Sequence, residues 1–131
     1  MSNIIYGDIN LDPLLRAQKK FKQYSRNLTD EQYQAGAIQS FEWCYELSWK
    51  FMRKVLIKND IEAEVKKDIF RQAARIGLIE SPEAWFKFNE LRNLTSHTYD
   101  EDESNKVVKA LPEFDKALDQ LIEKLQEQPQ S

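Results

Sequence analysis

The sequence predicts an all-α fold, an up-and-down antiparallel four-helix bundle with an accessory helix, with five helical segments in all. Three observations predict it. The chain has only 3 Gly and 4 Pro in 131 residues, and it is rich in Glu, Lys, Gln, Leu and Ala, which favour helix. Apolar residues recur three and four apart through most of its length. Start and stop signals cut that pattern into segments joined by short connections. At this length the chain reads as a single domain, residues 1–131, with loose termini at 1–11 and 127–131.

Composition also excludes functions. The formal charge of -3 gives no global basic field, so any contact with RNA must be local. A single cysteine, Cys44, rules out an internal disulfide framework, and its apolar helical surroundings suggest a small buried thiol. Met1 to Asn10 lacks a basic region followed by an apolar core, and no apolar run is long enough to span a bilayer. The expectation is a soluble cytoplasmic protein with no membrane contact.

Gly7 and Asp8 are turn formers in the lead-in. The first helix is expected at Asp12-Pro13, with Asp as N-cap and Pro in the first turn. Its cations, among them Arg16, Lys19 and Lys20, read as a solvated face or as a face for an acidic partner or RNA. Thr29-Asp30-Glu31-Gln32 has the form of a capping box, followed by a long helix to about Asn59 or Asp60. Ile38, Phe41, Tyr45, Trp49 and Met52 lie close to one face of it, and Trp43, Leu47, Phe51 and Val55 widen the apolar surface. A helix apolar on so much of its circumference packs against several neighbours or in a dimer interface.

Glu62 to Ile79 reads as a shorter helix stopped by Gly77. Ser81-Pro82-Glu83 restarts helix, with Ser as N-cap and Pro at the first position. This helix carries Trp85, Phe86, Phe88 and Leu91. Asp100 to Glu103 is expected to be an acidic connector. Ser104 to about Gln126 is expected to be the last helix, kinked or split by Pro112.

The chemistry concentrates in Leu91 to Asp100, which holds the only histidine. Arg92 can grip phosphate, His97 can move protons near neutral pH, and Tyr99 carries a modifiable hydroxyl. On a straight helix Arg92, Thr95, Ser96 and Tyr99 share one face, and Asn93 and His97 share another. Arg92 and His97 then diverge by about 140°. Either the helix end is distorted at His97, or the site is shared between two copies across a two-fold axis. Two copies would supply two histidines, one to take the proton from a ribose 2′-OH and one to protonate the leaving oxygen. Arg92 would stabilise charge on the phosphate, and Asn93 would orient the imidazole. Gln39, Glu42 and Glu46, spaced three and four apart on the long helix, read as plain surface or as groups that hold Arg92 in place from across the bundle. A structural role is the other reading: a histidine favoured by the helix dipole and an arginine in an ion pair. One His and one Cys do not make a common zinc site, and Glu42 and Glu46 lack the Glu-x-x-His partner of a carboxylate metal site. No metal and no cofactor are expected.

Arg92, Asn93, the spacing of Arg92 to His97, then Thr98 and Tyr99 closely resemble the signature of the HEPN superfamily. More narrowly, the chain resembles the nucleotidyltransferase substrate-binding protein family, which is related to the HepT toxins. The likeness extends to Gln39-Ser40-Phe41-Glu42, Tyr45 to Lys50, Ala74 to Ile79 and Trp85, and so to nearly the whole chain. The resemblance implies a homodimer with RNA or nucleotide at the dimer cleft, and a separate minimal nucleotidyltransferase as partner. It implies a metal-independent ribonuclease using Arg92 and His97, silenced when the nucleotidyltransferase transfers AMP to Tyr99. It leaves a second reading open, a non-catalytic subunit that presents nucleotide or substrate to the nucleotidyltransferase. Arg92 and His97 are thus the candidate catalytic residues, with Asn93, Ser96, Glu42 and Glu46 supporting.

Overall fold

Asp30 opens the longest element. Its carboxylate accepts hydrogen bonds from the backbone N–H groups of Gln32 and Tyr33, and α2 then runs from Glu31 to Lys58. In this computed structural model, which describes residues 3–97 and 100–131, the other helices are α1 (Asp12–Ser25), α3 (Lys66–Arg75), α4 (Pro82–Leu94) and α5 (Glu101–Gln126). Thr98 and Tyr99 lie outside the described residues, so the tyrosine of the site segment has no structural account. α2 packs against each of the other four helices. α1, α2, α4 and α5 make the up-and-down bundle, and the short α3 lies against α2 and α4 as the accessory helix.

Phe114 of α5 ties the bundle together. Its ring meets Phe41 of α2 edge-on at 4.7 Å, Phe88 of α4 at 5.1 Å and Phe21 of α1 at 5.5 Å. Such edge-to-face pairs add to the gain from burial because the positive ring edge meets the negative ring face. Tyr45, Phe70 and Trp85 extend the aromatic column, and the Tyr45 hydroxyl donates to Asn89 Oδ1 at 2.7 Å. The buried Ser40 and Ser48 hydroxyls donate to carbonyls one turn back in α2, so neither is an unpaired polar group. α1 approaches α2 closely at Gly36, where a Cβ would stand 2.4 Å from the Tyr24 ring.

Several boundaries differ from the sequence expectation. Residues 4–10, expected as an irregular lead-in, form a two-stranded antiparallel hairpin, β1 (Ile4–Ile5) and β2 (Ile9–Asn10). Tyr6 and Gly7 turn it with positive φ, and their N–H groups donate to the carbonyls of Pro129 and Gln130. That tie also holds the C-terminal residues expected to fray. At α1 the N-cap position is Leu11, without a side-chain cap bond; Asp12 is the first helical residue, and its N–H bonds to the Asn10 side chain. At α2 Asp30 caps, and Thr29 bonds instead to Asn27. α3 is shorter than expected and begins only at Lys66. Gly77, with φ +87, ends the turn after α3, and Ser81 caps α4 through the Ala84 N–H, both as expected. Asp100 to Glu103 is not a connector. Asp100 accepts from the N–H groups of Asp102 and Glu103, and three acids fill the first turn of α5, where the helix dipole favours them. α5 runs through Pro112 without being split. No helix of the described residues is long and apolar enough to cross a membrane.

Candidate functional site

Arg92 lies in the last turn of α4, facing the middle of α2. Its Nη1 is 3.0 Å from Glu42 Oε2 and also donates to Thr95 Oγ1 at 3.0 Å. Its Nε is 3.4 Å from Glu46 Oε1, at ion-pair distance but without hydrogen-bond alignment. Glu46 is fixed in turn by Trp49, whose indole N–H donates to Oε2 at 3.0 Å. Glu42 and Glu46 are four apart on α2, so one helix face offers both carboxylates to one guanidinium. The three side chains keep about a third of their surface in solvent. An ion pair so exposed adds roughly 0–1 kcal/mol to stability, so its main effect is to fix the guanidinium's position.

α4 does not continue as an α-helix to His97. Thr95 to His97 form a 3-10 turn, and the Thr95 hydroxyl donates to the Arg92 carbonyl at 2.6 Å. Thr95 is buried, whereas Asn93, Ser96 and His97 are exposed. The helix end is therefore distorted at the histidine, one of the two alternatives that the residue spacing allowed. Thr95 and Trp49 join the Arg92 network although the sequence singled them out only as a residue on the arginine's face and a core aromatic. The Thr95 spacing from Arg92 was a usable signal; nothing in the spacing revealed the Trp49 indole bond.

A polar groove of about 760 Å³ opens beside Glu42, between the N-terminal half of α2 and the start of α5. Gln39, Glu42, Glu101 and Asn105 line it. Below the network, burial raises the Tyr45 hydroxyl above the ordinary phenol range; Glu46 raises it further, against a lowering by Arg92. Tyr45 is therefore a neutral hydrogen-bond donor. Its neighbour Cys44 is fully buried, and burial, with the Asp115 charge, pushes its thiol up to about 12. That thiol is unreactive at neutral pH.

These features define a class: an all-helical bundle with an arginine clamped by two carboxylates at a helix end that continues into an exposed histidine. The chain belongs to the family described as nucleotidyltransferase substrate binding protein like, which matches residues 10–127. It is 41% identical over 101 residues to a Haemophilus influenzae protein named Probable ribonuclease HepT, covering 73% of this chain and 69% of that one. A solved Haemophilus influenzae structure, presented as the fold of a substrate binding domain of a nucleotidyltransferase, superposes with a TM-score of 0.84 at 34% identity. It covers 90% of this chain and 100% of its own. A Thermus thermophilus crystal structure superposes with a TM-score of 0.78 at 27% identity, over 86% of this chain and 98% of its own.

Proposed function

We propose that the protein is a metal-independent endoribonuclease, the toxin of a two-component toxin–antitoxin system whose other component is a minimal nucleotidyltransferase. The observation that carries this reading is Arg92 and the exposed His97 at one helix end, in a chain 41% identical over 101 residues to a relative named as a ribonuclease. The working form is a homodimer in the cytoplasm, with RNA in the cleft between copies. His97 of one copy takes the proton of a ribose 2′-OH, and the 2′ oxygen forms a bond to the adjacent phosphorus. The bond from phosphorus to the 5′ oxygen breaks, and His97 of the other copy returns a proton to that oxygen. A 2′,3′-cyclic phosphate and a 5′-hydroxyl result. Arg92 stabilises the negative charge that gathers on the phosphate oxygens, Asn93 orients the imidazole, and Ser96 supports the site. Silencing follows when Tyr99 attacks the α-phosphorus of ATP held by the nucleotidyltransferase. The bond to pyrophosphate breaks, the phenol proton is lost, and AMP stays on the tyrosine.

His97→Ala should slow RNA cleavage by about 10² to 10⁴, the usual worth of a general acid–base group, with unfolding unchanged. Equal cleavage by the variant and the unaltered protein would overturn the reading. A second reading draws on the solved neighbour presented as a substrate binding domain. In it the protein is a non-catalytic subunit that holds nucleotide or substrate for the nucleotidyltransferase, and Arg92 binds phosphate without cleavage. RNA left intact at every protein concentration, together with nucleotide binding lost in Arg92→Ala, would favour it.

A further inference from the structure

One guanidinium shared by two carboxylates leaves the Arg92 cluster with a net charge of -1. A phosphate approaching a single copy therefore meets an arginine already neutralised, with one negative charge to spare. The spare negative charge disfavours an incoming anion at that range. The cluster is incomplete as a phosphate site, and the missing part is a cation.

α2 carries that cation, but on the wrong end for its own Arg92. Its acids, Glu31, Glu42 and Glu46, all precede its bases, Lys50, Arg53, Lys54 and Lys58. Arg53 is committed to Glu64 in a two-bond pair and Lys58 to Asp8. Lys50 and Lys54 are exposed and make no ion pair among the described residues; each lies over an aromatic ring of its own helix. The same outer face leaves Trp43 49% and Ile57 53% exposed. Leu47 joins an apolar furrow of about 460 Å³ beside Trp43 to one of about 290 Å³ beside Ile57. Arg16 and Lys20 border the first furrow, but neither forms an ion pair with Glu46 among the described residues.

A helix face with acids first and bases second is complementary to itself when two copies run antiparallel. A parallel pairing would set Lys50 against Lys50. With the two-fold axis at Glu46 and Leu47, Trp43 of one copy faces Lys50 of the other, because opposed positions have numbers that sum to about 93. Trp43, Glu46 and Lys50 point within about 60° of one another on a helix, so the incoming ammonium reaches Glu46 as well as the indole. We infer that Lys50 of a second copy completes the phosphate site: it pairs with Glu46, and the Arg92 guanidinium is released to a phosphate of RNA. This rests on the dimer and RNA proposed above. Lys50 acts through Glu46 and is a positioning residue.

Trans-complementation tests it. Differently tagged Arg92→Ala and Lys50→Ala chains are co-expressed, and the doubly tagged heterodimer is purified. Binding of a short single-stranded RNA is then measured by fluorescence anisotropy. Each parent homodimer should bind about tenfold more weakly than the unaltered protein. The heterodimer should recover one full-affinity site, since its intact Arg92 faces the intact Lys50 of the other chain. Lys50→Arg should keep binding. A heterodimer as weak as its parents, unaltered binding by Lys50→Ala, or no recoverable heterodimer would each overturn the inference. If the unaltered protein binds no RNA, the RNA reading itself falls, which separates the two failures.

Discussion

On the inner face of α2, Phe41, Tyr45 and Met52 are fully buried, while two residues from both aromatics Trp43 keeps 49% of its surface in solvent. The inner positions meet Phe114, Trp85 and Phe70 from other elements. The outer positions Trp43 and Leu47 border an open furrow shared with Arg16, Ala17 and Lys20 of α1. Residue type does not separate these faces, since each is aromatic and apolar. What separates them is whether another element of the same chain arrives to cover the ring. The inner face supplies stability, and the outer face keeps apolar surface in solvent.

Phe114→Ala should break the inner side most severely. Loss of a ring in contact with three other helices is expected to cost about 3–5 kcal/mol in urea unfolding. A cost below about 1 kcal/mol would contradict the packing described. The contrast sharpens with Tyr45→Phe and Trp43→Ala. The first leaves Asn89 without its 2.7 Å partner and should cost about 1 kcal/mol. The second should change monomer unfolding by only about 0.5 kcal/mol or less, while lowering the mass seen by light scattering if the outer face pairs with a copy.

Alkaline titration probes the inner face by another route. Burial raises Cys44 from 9.0 to about 12, so folding favours its neutral thiol. That contribution is complete below the unfolded value and is lost as pH rises towards the folded one. Between pH 9 and 10 the unfolding free energy should fall by about 1 kcal/mol from this thiol, and Cys44→Ala should remove that part of the slope. Tyr45, also raised by burial, starts to contribute only near its ordinary 10.0. The start of α2 offers a graded pair. Asp30→Ala should cost about 1 kcal/mol and Thr29→Ala only about 0.3, because Asp30 makes both cap bonds.

Signals that act within a turn of the chain were legible. Ser81-Pro82 started α4, Gly77 closed the turn after α3, and α2 stopped within two residues of the expected end. The spacing of Glu42 and Glu46 allowed them to meet Arg92 but equally allowed a plain surface face. What was illegible depended on distant partners. The hairpin at residues 4–10 is anchored to the far end of the chain, where the Tyr6 hydroxyl donates to Gln128, 122 positions away. The acids from Glu101 to Glu103 looked like a solvated connector because their charge is also what a helix N-terminus attracts. At the site, Arg92 declared itself by type, but no local signal showed that two carboxylates would share it.

The clasp between the hairpin turn and residues 128–130 lies near Asn59, whose side chain also reaches the Tyr6 hydroxyl. Along α2 that is about 25 Å from Glu42 at the usual rise per residue. Both ends of the described chain thus meet at one pole, with the Arg92 cluster set well away from it. A short peptide joining Asn3 to Gln130 would close the backbone into a ring, and new ends could be opened in the exposed stretch at Arg26 and Asn27. Such a permuted chain would carry its fusion tags at the opposite pole, which offers a way to attach reporters there or at the clasp and compare them.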